Sequence, residues 1–254
     1  PVARNCLYHG GFGTSPVSFL YFFRHGQAGT RDDYDALSDL GRAQARALGD
    51  HLAAQPLRFA AVVSGAMKRQ RETLDEVVAA YRRAGAALPE PVTDTGWNEF
   101  DLFGIYDAVA PRLSADDPAF RAAFEKERLL AQAPQARIHR QWSACDAAIV
   151  RAWIEARYDI DVESWPDFLA RVRSNRERLP PAANGEAIAI FTSATPMSIW
   201  VAAALGIAEP KILRLTGAVF NSAMTLLRLR DGELDLVTFN STPHITGPSL
   251  RTLR

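Results

Sequence analysis

The sequence predicts an α/β protein, a three-layer α/β/α sandwich with a mainly parallel central sheet. The prediction rests on three short apolar runs, each followed by a polar turn and then by a helix-like segment. The runs cover residues 17–23, 59–63 and 186–192. Strands that alternate with helices pair in parallel, and such sheets bind ligands beyond the carboxyl ends of their strands. We therefore expect functional side chains in the polar turns that follow these runs.

The predicted helices carry recognisable start and stop signals. Residues 37–54 have apolar side chains at helical spacing, with Ser38 or Asp39 as the N-cap. A second helix is predicted over about 67–83. A third follows the last apolar run, with Pro196 near its first turn and Gly206 at its end.

The end of the chain predicts a C-terminal hairpin. Residues 224–230 and 233–239 are strand-like and flank Asp231-Gly232, a dipeptide typical of tight antiparallel turns. Residues 108–179 are instead rich in Ala, Arg and Glu, which indicates a helical insertion over the ligand-binding end of the sheet. We interpret residues 1–254 as a single domain that carries this insertion.

Composition narrows the classes of function. The chain has 29 basic and 29 acidic residues, so its net charge offers no general basis for binding nucleic acid or an anionic membrane. No apolar run approaches the ~20 residues that span a bilayer. Cys6 and Cys145 form no CxxC pair, and reduced thiols are favoured over a disulfide. We expect a cytoplasmic protein without nucleic-acid or membrane partners, and the oligomeric state stays open.

The first candidate for chemistry is the segment Arg24-His25-Gly26-Gln27, directly after the first strand. Neutral imidazole is a good nucleophile near pH 7, and a guanidinium beside it can hold a phosphoryl group through two hydrogen bonds. Gly26 would let a ligand approach the backbone closely, and Gln27 is a candidate for a phosphate contact through its amide. A surface loop with an ordinary histidine is the alternative, but the position at a strand end favours ligand binding.

Three further segments contain candidates. Basic residues stand at the start of the second helix, where positive charge is unfavourable because it opposes the helix dipole. We therefore expect at least one of them to face an anion, and Arg69 is the candidate. Glu99 is a candidate general acid. His244, after the hairpin, is interpreted first as a structural residue and second as a possible site residue.

Taken in order, these segments resemble the histidine phosphatase superfamily, which contains phosphoglycerate mutases and broad-range phosphatases. The resemblance extends from about residue 19 to residue 244 and rests on segments 24–26, 37–45, 67–73 and 98–101. It implies that His25 becomes phosphorylated, that Arg24 and Arg69 clamp the phosphate, and that Glu99 protonates the leaving group. It implies no metal and no organic cofactor. For His25 to attack, its other ring nitrogen should donate to a backbone carbonyl.

The sequence departs from this family at one pocket position. Ser193 stands where the family has a second histidine, and the chain is similar in this respect to a subgroup that also carries serine there. Losing such a donor costs about 3 kcal/mol, or ~100-fold in rate, but a serine retains one neutral hydrogen bond.

The sequence thus predicts a phosphomonoesterase whose partner is a small phosphorylated substrate or free phosphate. A non-catalytic phospholigand-binding module is the alternative, supported by the missing second histidine. A phosphoglycerate-type mutase is a third hypothesis, and it would need extra cations in the pocket. The arginines of the insertion are more simply interpreted as a solvated helix face: Arg137, Arg140, Arg151 and Arg157.

Overall fold

A computed structural model of the chain describes residues 17–29, 33–131, 143–183 and 185–253. In these residues a six-stranded sheet has the order β3-β2-β4-β1-β5-β6. Strands β1 to β4 pair in parallel, and β5 and β6 run antiparallel to their neighbours. This confirms the mainly parallel sheet and the C-terminal hairpin. The strands are β1 (Val17–Arg24), β2 (Phe59–Ser64), β3 (Val92–Thr93), β4 (Ala187–Thr192), β5 (Met224–Arg230) and β6 (Glu233–Ser241).

The centre of the sheet is formed by β1 and β4. Central strands are covered on both faces, so they need a continuous apolar sequence, and these two strands have one. All six residues of β4 are buried. The register pairs Arg24 with Thr192 at the last position of both strands. His25 and Ser193 therefore leave the sheet side by side at the same edge.

One face of the sheet is covered by α1 (Asp39–Ala53) and α2 (Lys68–Arg83). Ser38 is the N-cap of α1, as the sequence predicts, and its hydroxyl accepts a hydrogen bond from the Gly41 amide at 3.0 Å. The core between these helices and the sheet is aliphatic and aromatic: Phe23, Leu48, Leu52, Val62, Leu74, Val77 and Phe191.

The other face is covered by a larger helical layer, in which α7 (Ala194–Leu205) packs directly on β1, β5 and β6. Two helices, α6 (Trp165–Ser174) and α8 (Ile212–Thr216), pack against α7. The layer continues outward through α5 (Ala144–Ile154), which packs on α6, and through α3 (Leu102–Asp116) and α4 (Pro118–Ala131), which pack on α5. Its core centres on Phe22, Trp97 and Trp200, whose ring centroids are 5.5 to 5.8 Å apart. No helix in the described ranges combines the length and the apolar character needed to cross a bilayer.

Local signals near the chain end form as predicted. Gly206 ends α7 in the left-handed conformation, with φ of 63°. Asp231 and Gly232 both have positive φ, 53° and 81°, as a two-residue turn between antiparallel strands requires. Cys6, Arg137 and Arg140 lie outside the described residues.

Candidate functional site

The cluster at the carboxyl edge of the sheet contains His25, Arg69, Glu99 and Ser193. Each follows a different strand: His25 comes after β1, Arg69 lies in the first turn of α2, and Ser193 precedes α7. Glu99 follows the short 3₁₀ helix Thr95–Trp97 beyond β3. Parallel topology brings these segments to one edge, although up to 168 positions separate them in the chain.

The His25 ring is held in one tautomer. Its Nδ1 lies 2.6 Å from the Gly26 carbonyl oxygen, which can only accept, so Nδ1 carries the proton and Nε2 keeps its lone pair. This is the contact expected of a nucleophilic histidine. Burial, and then the charges of Arg69 and Arg24, hold the pKa of His25 well below its ordinary value. The imidazole is therefore neutral over the physiological range.

The backbone around His25 is tied to several elements. The His25 amide donates to the Thr192 carbonyl at 3.0 Å, and the His25 carbonyl accepts from the Ser222 amide at 3.1 Å. A side chain at Gly26 would overlap the Gly41 backbone at the start of α1. The expectation that Gly26 leaves room for a ligand is therefore not met, because α1 fills that space.

Arg69 faces the His25 ring directly. Its side chain is buried, and its Nε donates to His25 Nε2 at 3.2 Å. Nη1 donates to Asp35 Oδ1 at 2.7 Å, and the guanidinium lies 5.5 Å from the Tyr34 ring centroid. The cation predicted to face an anion thus has a carboxylate partner within the chain.

Arg24 is buried close to His25 but is bound to backbone. Its Nη1 donates to the carbonyl oxygens of Val219 and, at 2.9 Å, Leu253. Its charge nevertheless contributes to the lowered pKa of His25. Arg24 therefore joins the C-terminal segment to the site while keeping a cation beside the imidazole.

Glu99 is partly buried at the start of α7. Its Oε2 accepts from the Thr195 amide at 3.1 Å, and its Oε1 accepts from the Phe100 amide at 3.2 Å. Burial raises the pKa of Glu99 above its ordinary value, against these hydrogen bonds and the charge of Arg69. A carboxyl group with a raised pKa, near the same Arg69 charge that acts on the neutral imidazole, is a suitable proton donor.

Ser193 is 1% exposed and contacts a side chain of α2. Its Oγ accepts from Gln70 Nε2 at 2.9 Å. Gln70 itself is fully buried and also donates to the Trp97 carbonyl.

Two predicted residues lie at the margin of this cluster. The side-chain oxygen of Gln27 accepts from the Ser38 hydroxyl at 3.0 Å, at the N-terminus of α1. The His244 ring contacts Ser222 Oγ at 2.9 Å and packs 6.2 Å from the His51 ring. The contacts described for His244 thus do not include His25, Arg69, Glu99 or Ser193, and burial lowers its pKa to about 4.

Three residues at the site were assigned no function from the sequence, although Gln70 and Thr73 lie in segment 67–73, on which the family resemblance rests. Asp35 pairs with Arg69, and Gln70 pairs with Ser193. Thr73 accepts from the Gly26 amide and donates to the Arg69 carbonyl, so it links the two segments. A weak signal for Asp35 was available, because an acidic run at 32–35 complements the basic start of α2. Nothing local indicated the partner of Gln70.

One other feature, a groove, lies apart from this cluster. A groove of about 630 Å³ runs along the outer side of α2 and is lined by residues that include Lys68, Arg71, Asp75, Arg82 and Glu90. Within the described part of the chain, no three His, Cys, Asp or Glu side chains converge as a metal-ligand set.

Comparison with known proteins gives a family match and a fold match. A model of the histidine phosphatase superfamily (branch 1) matches residues 20–144 and 131–242. A phosphoglycerate mutase from Bacillus anthracis, 16% identical, has a TM-score of 0.56 over 91% of this chain and 96% of that chain. A mycobacterial glucosyl-3-phosphoglycerate phosphatase, 20% identical, has a TM-score of 0.54 over 89% of this chain and 99% of that chain. No curated protein matches.

Proposed function

Because the chain belongs to the histidine phosphatase superfamily, we propose that it hydrolyses small phosphomonoesters through a phosphohistidine on His25. One observation carries the proposal. The His25 ring donates through Nδ1 to the Gly26 carbonyl, and its Nε2 lone pair is directed at the Arg69 guanidinium. A nucleophile and a phosphate-binding cation thus face each other at the edge where such sheets bind ligands.

When the substrate binds, Arg69 exchanges its hydrogen bond to His25 for hydrogen bonds to the phosphoryl group. Without substrate, Arg69 Nε donates to the nitrogen that must attack. A phosphoryl oxygen is a better acceptor than a neutral imidazole, because it is negatively charged and a phosphate can accept two parallel hydrogen bonds from one guanidinium. Arg69 therefore turns to the phosphate and exposes the His25 lone pair, while Arg24, Gln27 and Ser193 complete the binding of the phosphoryl group.

The chemistry then proceeds in two displacements. The Nε2 lone pair forms a bond to phosphorus, the ester P–O bond breaks, and the Glu99 carboxyl group gives its proton to the departing oxygen. Water next attacks the phosphohistidine and gives a proton to the Glu99 carboxylate. The P–N bond breaks, orthophosphate leaves, and both side chains return to their starting states.

The opposite pKa shifts at the two residues support these roles. Burial and two cations lower the pKa of His25, which keeps the nucleophile unprotonated. Burial raises the pKa of Glu99, which keeps the acid protonated to higher pH than an ordinary glutamate. Groups whose environments push their pKa values apart are typical of acid–base pairs in active sites.

The test is turnover of p-nitrophenyl phosphate by the wild type and by His25→Ala. We expect hydrolysis by the wild type, at least a ~1,000-fold loss in the variant, and an acid-labile label when the wild type is quenched with ³²P-labelled substrate. Glu72→Gln is a control, because Glu72 pairs with Arg42 and the Leu37 amide outside the cluster. Equal hydrolysis by wild type and His25→Ala would exclude this mechanism.

A phospholigand-binding module is the second candidate, and Ser193 favours it. A buried serine supplies one neutral donor where the resemblance leads us to expect a histidine, so the site could bind phosphate without turning it over. Micromolar binding of inorganic phosphate by the wild type, without hydrolysis of any ester in a broad panel, would support this alternative.

A further inference from the structure

We propose that Gln70 is a positioning residue that directs the hydroxyl proton of Ser193 toward the phosphoryl group. The inference rests on the proposed phosphatase function and assigns a role to a residue outside the reacting groups. Gln70 follows Arg69 in the first turn of α2, so one turn of helix would supply both a direct phosphate ligand and the support for a second.

The orientation of the Gln70 amide is determined by its partners. Its Oε1 accepts from the Met67 amide at 3.2 Å, and its Nε2 donates to the Trp97 carbonyl at 3.1 Å. An amide N–H can only donate and a carbonyl can only accept, so the reversed amide would lose both bonds. The Nε2 group therefore also donates to Ser193, and the serine oxygen is the acceptor at 2.9 Å.

That assignment controls where the serine proton points. One lone pair of Ser193 Oγ is used by Gln70, so the hydroxyl proton must be directed away from it. The amide has little freedom to move, because Gln70 is fully buried and a side chain at Gly65 would overlap Oε1. Ser193 is thereby oriented before substrate binds, which lowers the ordering cost of the contact.

The Ser193 hydroxyl does not cap α7, although Ser193 is the N-cap residue of that helix. A serine at the N-cap of a helix normally accepts from an amide of the first turn, but Ser193 makes no such bond to α7. The Thr195 amide donates to the Glu99 carboxylate instead. Glu99 thus caps the helix, and the serine hydroxyl remains available as a donor.

The location fits a ligand of the phosphoryl group. Ser193 follows Thr192, whose carbonyl accepts from the His25 amide. The charge of Arg69, the neighbour of Gln70, acts on both His25 and Glu99, so these groups share one electrostatic environment. The Gln70–Ser193 pair belongs to the same cluster as His25, Arg69 and Glu99.

The experiment is a double-mutant cycle with Gln70→Met, Ser193→Ala and the double variant. In each protein we would measure kcat and KM for p-nitrophenyl phosphate, the Kd of inorganic phosphate by calorimetry, and Tm. We expect each single variant to lower kcat by about 10-fold and to raise the Kd of inorganic phosphate severalfold, since a lost hydrogen bond to a charged group has roughly this effect. The double variant should be no worse than Ser193→Ala by more than about twofold.

A purely structural role for Gln70 gives a different result. Gln70→Met would then lower kcat by the same factor whether the serine hydroxyl is present or has been removed by Ser193→Ala, and that outcome would overturn the inference. If the wild type hydrolyses nothing, the proposed function fails, yet the same coupling measured in phosphate Kd still decides the role of Gln70. Should Gln70→Met not fold, Gln70→Glu keeps the acceptor for the Met67 amide, and its second oxygen would draw the serine proton away from the phosphate.

Discussion

At the residue scale, Glu99 combines an observed helix-capping contact with a proposed part in catalysis. Its carboxylate caps α7 through the Thr195 amide, a contact that favours the ionised form. In the proposed mechanism Glu99 is the proton donor, so it must instead be protonated when substrate is bound. Burial decides the balance and raises the pKa of Glu99, so the acid form persists to higher pH.

The variant Glu99→Gln tests the proposed proton donor through the pH dependence of kcat. In the wild type, kcat should fall as pH rises through the raised pKa of Glu99, because the proton donor is lost. His25 should add little on the acid side, because its pKa is lowered. Glu99→Gln should remove the alkaline decline and lower kcat for an alkyl phosphate by about 100-fold or more.

Two substrates measured over the same pH range check this. Protonation of the substrate phosphate affects wild type and variant alike, so its effect cancels in the ratio of their kcat values at each pH. p-Nitrophenolate leaves without protonation, so its ester should be affected less than glycerol phosphate. An alkaline decline that persists unchanged in Glu99→Gln would assign the titration to another group.

Asp35 is the second residue whose charge matters for phosphate binding. Its Oδ1 accepts from Arg69 Nη1, and its Oδ2 accepts from the Lys68 amide at 2.9 Å. One carboxylate thus binds both the Arg69 guanidinium and the N-terminus of α2. These are the groups an incoming phosphate would use. We therefore expect Asp35 to compete with a bound phosphate for these two donors.

We expect Asp35→Asn to bind inorganic phosphate more tightly. Removing one half-exposed negative charge near the anion is worth about 1 kcal/mol, or roughly fivefold in Kd. An amide can accept from only one of the two donors, so Tm should fall slightly. Calorimetry would test this against Asp33→Asn, whose partner is the exposed Lys68 ammonium group at 3.4 Å. Weaker binding by Asp35→Asn would show that Asp35 positions Arg69 rather than competing for it.

At the scale of elements, α6 supports the segment that carries Glu99. Arg171 forms two hydrogen bonds with Glu163, at 2.6 and 2.8 Å. Its Nη1 donates to the carbonyl oxygens of Thr95, Gly96 and Asn98, at 3.1 to 3.2 Å. One guanidinium thus organises the backbone directly before Glu99.

Arg171→Met should therefore weaken both folding and catalysis. Removing one partner of this network is expected to cost about 2–3 kcal/mol of unfolding free energy and to lower kcat by roughly 10-fold, since Glu99 would be held less firmly. Arg173→Met is the matched control, because Arg173 lies in the same helix and pairs with Glu209 at the surface. Thermal unfolding and kcat would be measured for both. Equal effects in the two variants would contradict a special role for Arg171.

At the scale of the whole molecule, the site depends on connections between distant parts of the chain. Arg24, at the end of β1, binds the backbone at Val219 and Leu253. Asn221 accepts from Thr252 and donates to the His25 carbonyl at 3.4 Å. The C-terminal segment is thus joined to the strand end that presents His25.

Much of the architecture could be predicted because it depends on local pattern. Continuous apolar runs define the central strands, Ser38 and Gly206 mark helix ends, and Asp231-Gly232 marks the hairpin turn. The types of the candidate residues were also readable, since imidazole, guanidinium and carboxyl groups after strands suit phosphoryl chemistry. The sequence alone therefore determined the fold class and the set of side chains that we propose for the reaction.

The tertiary structure decided which groups act on one another. Asp35 with Arg69, Gln70 with Ser193, and Glu99 with the Thr195 amide are pairs separated by 34, 123 and 96 positions. No periodicity or capping rule encodes such partners, because they depend on how crossovers bring separate strand ends together. The same packing filled the space beside Gly26 with α1. The chemical groups are thus encoded locally, whereas their pairing and their pKa shifts arise from burial and contact in the folded chain.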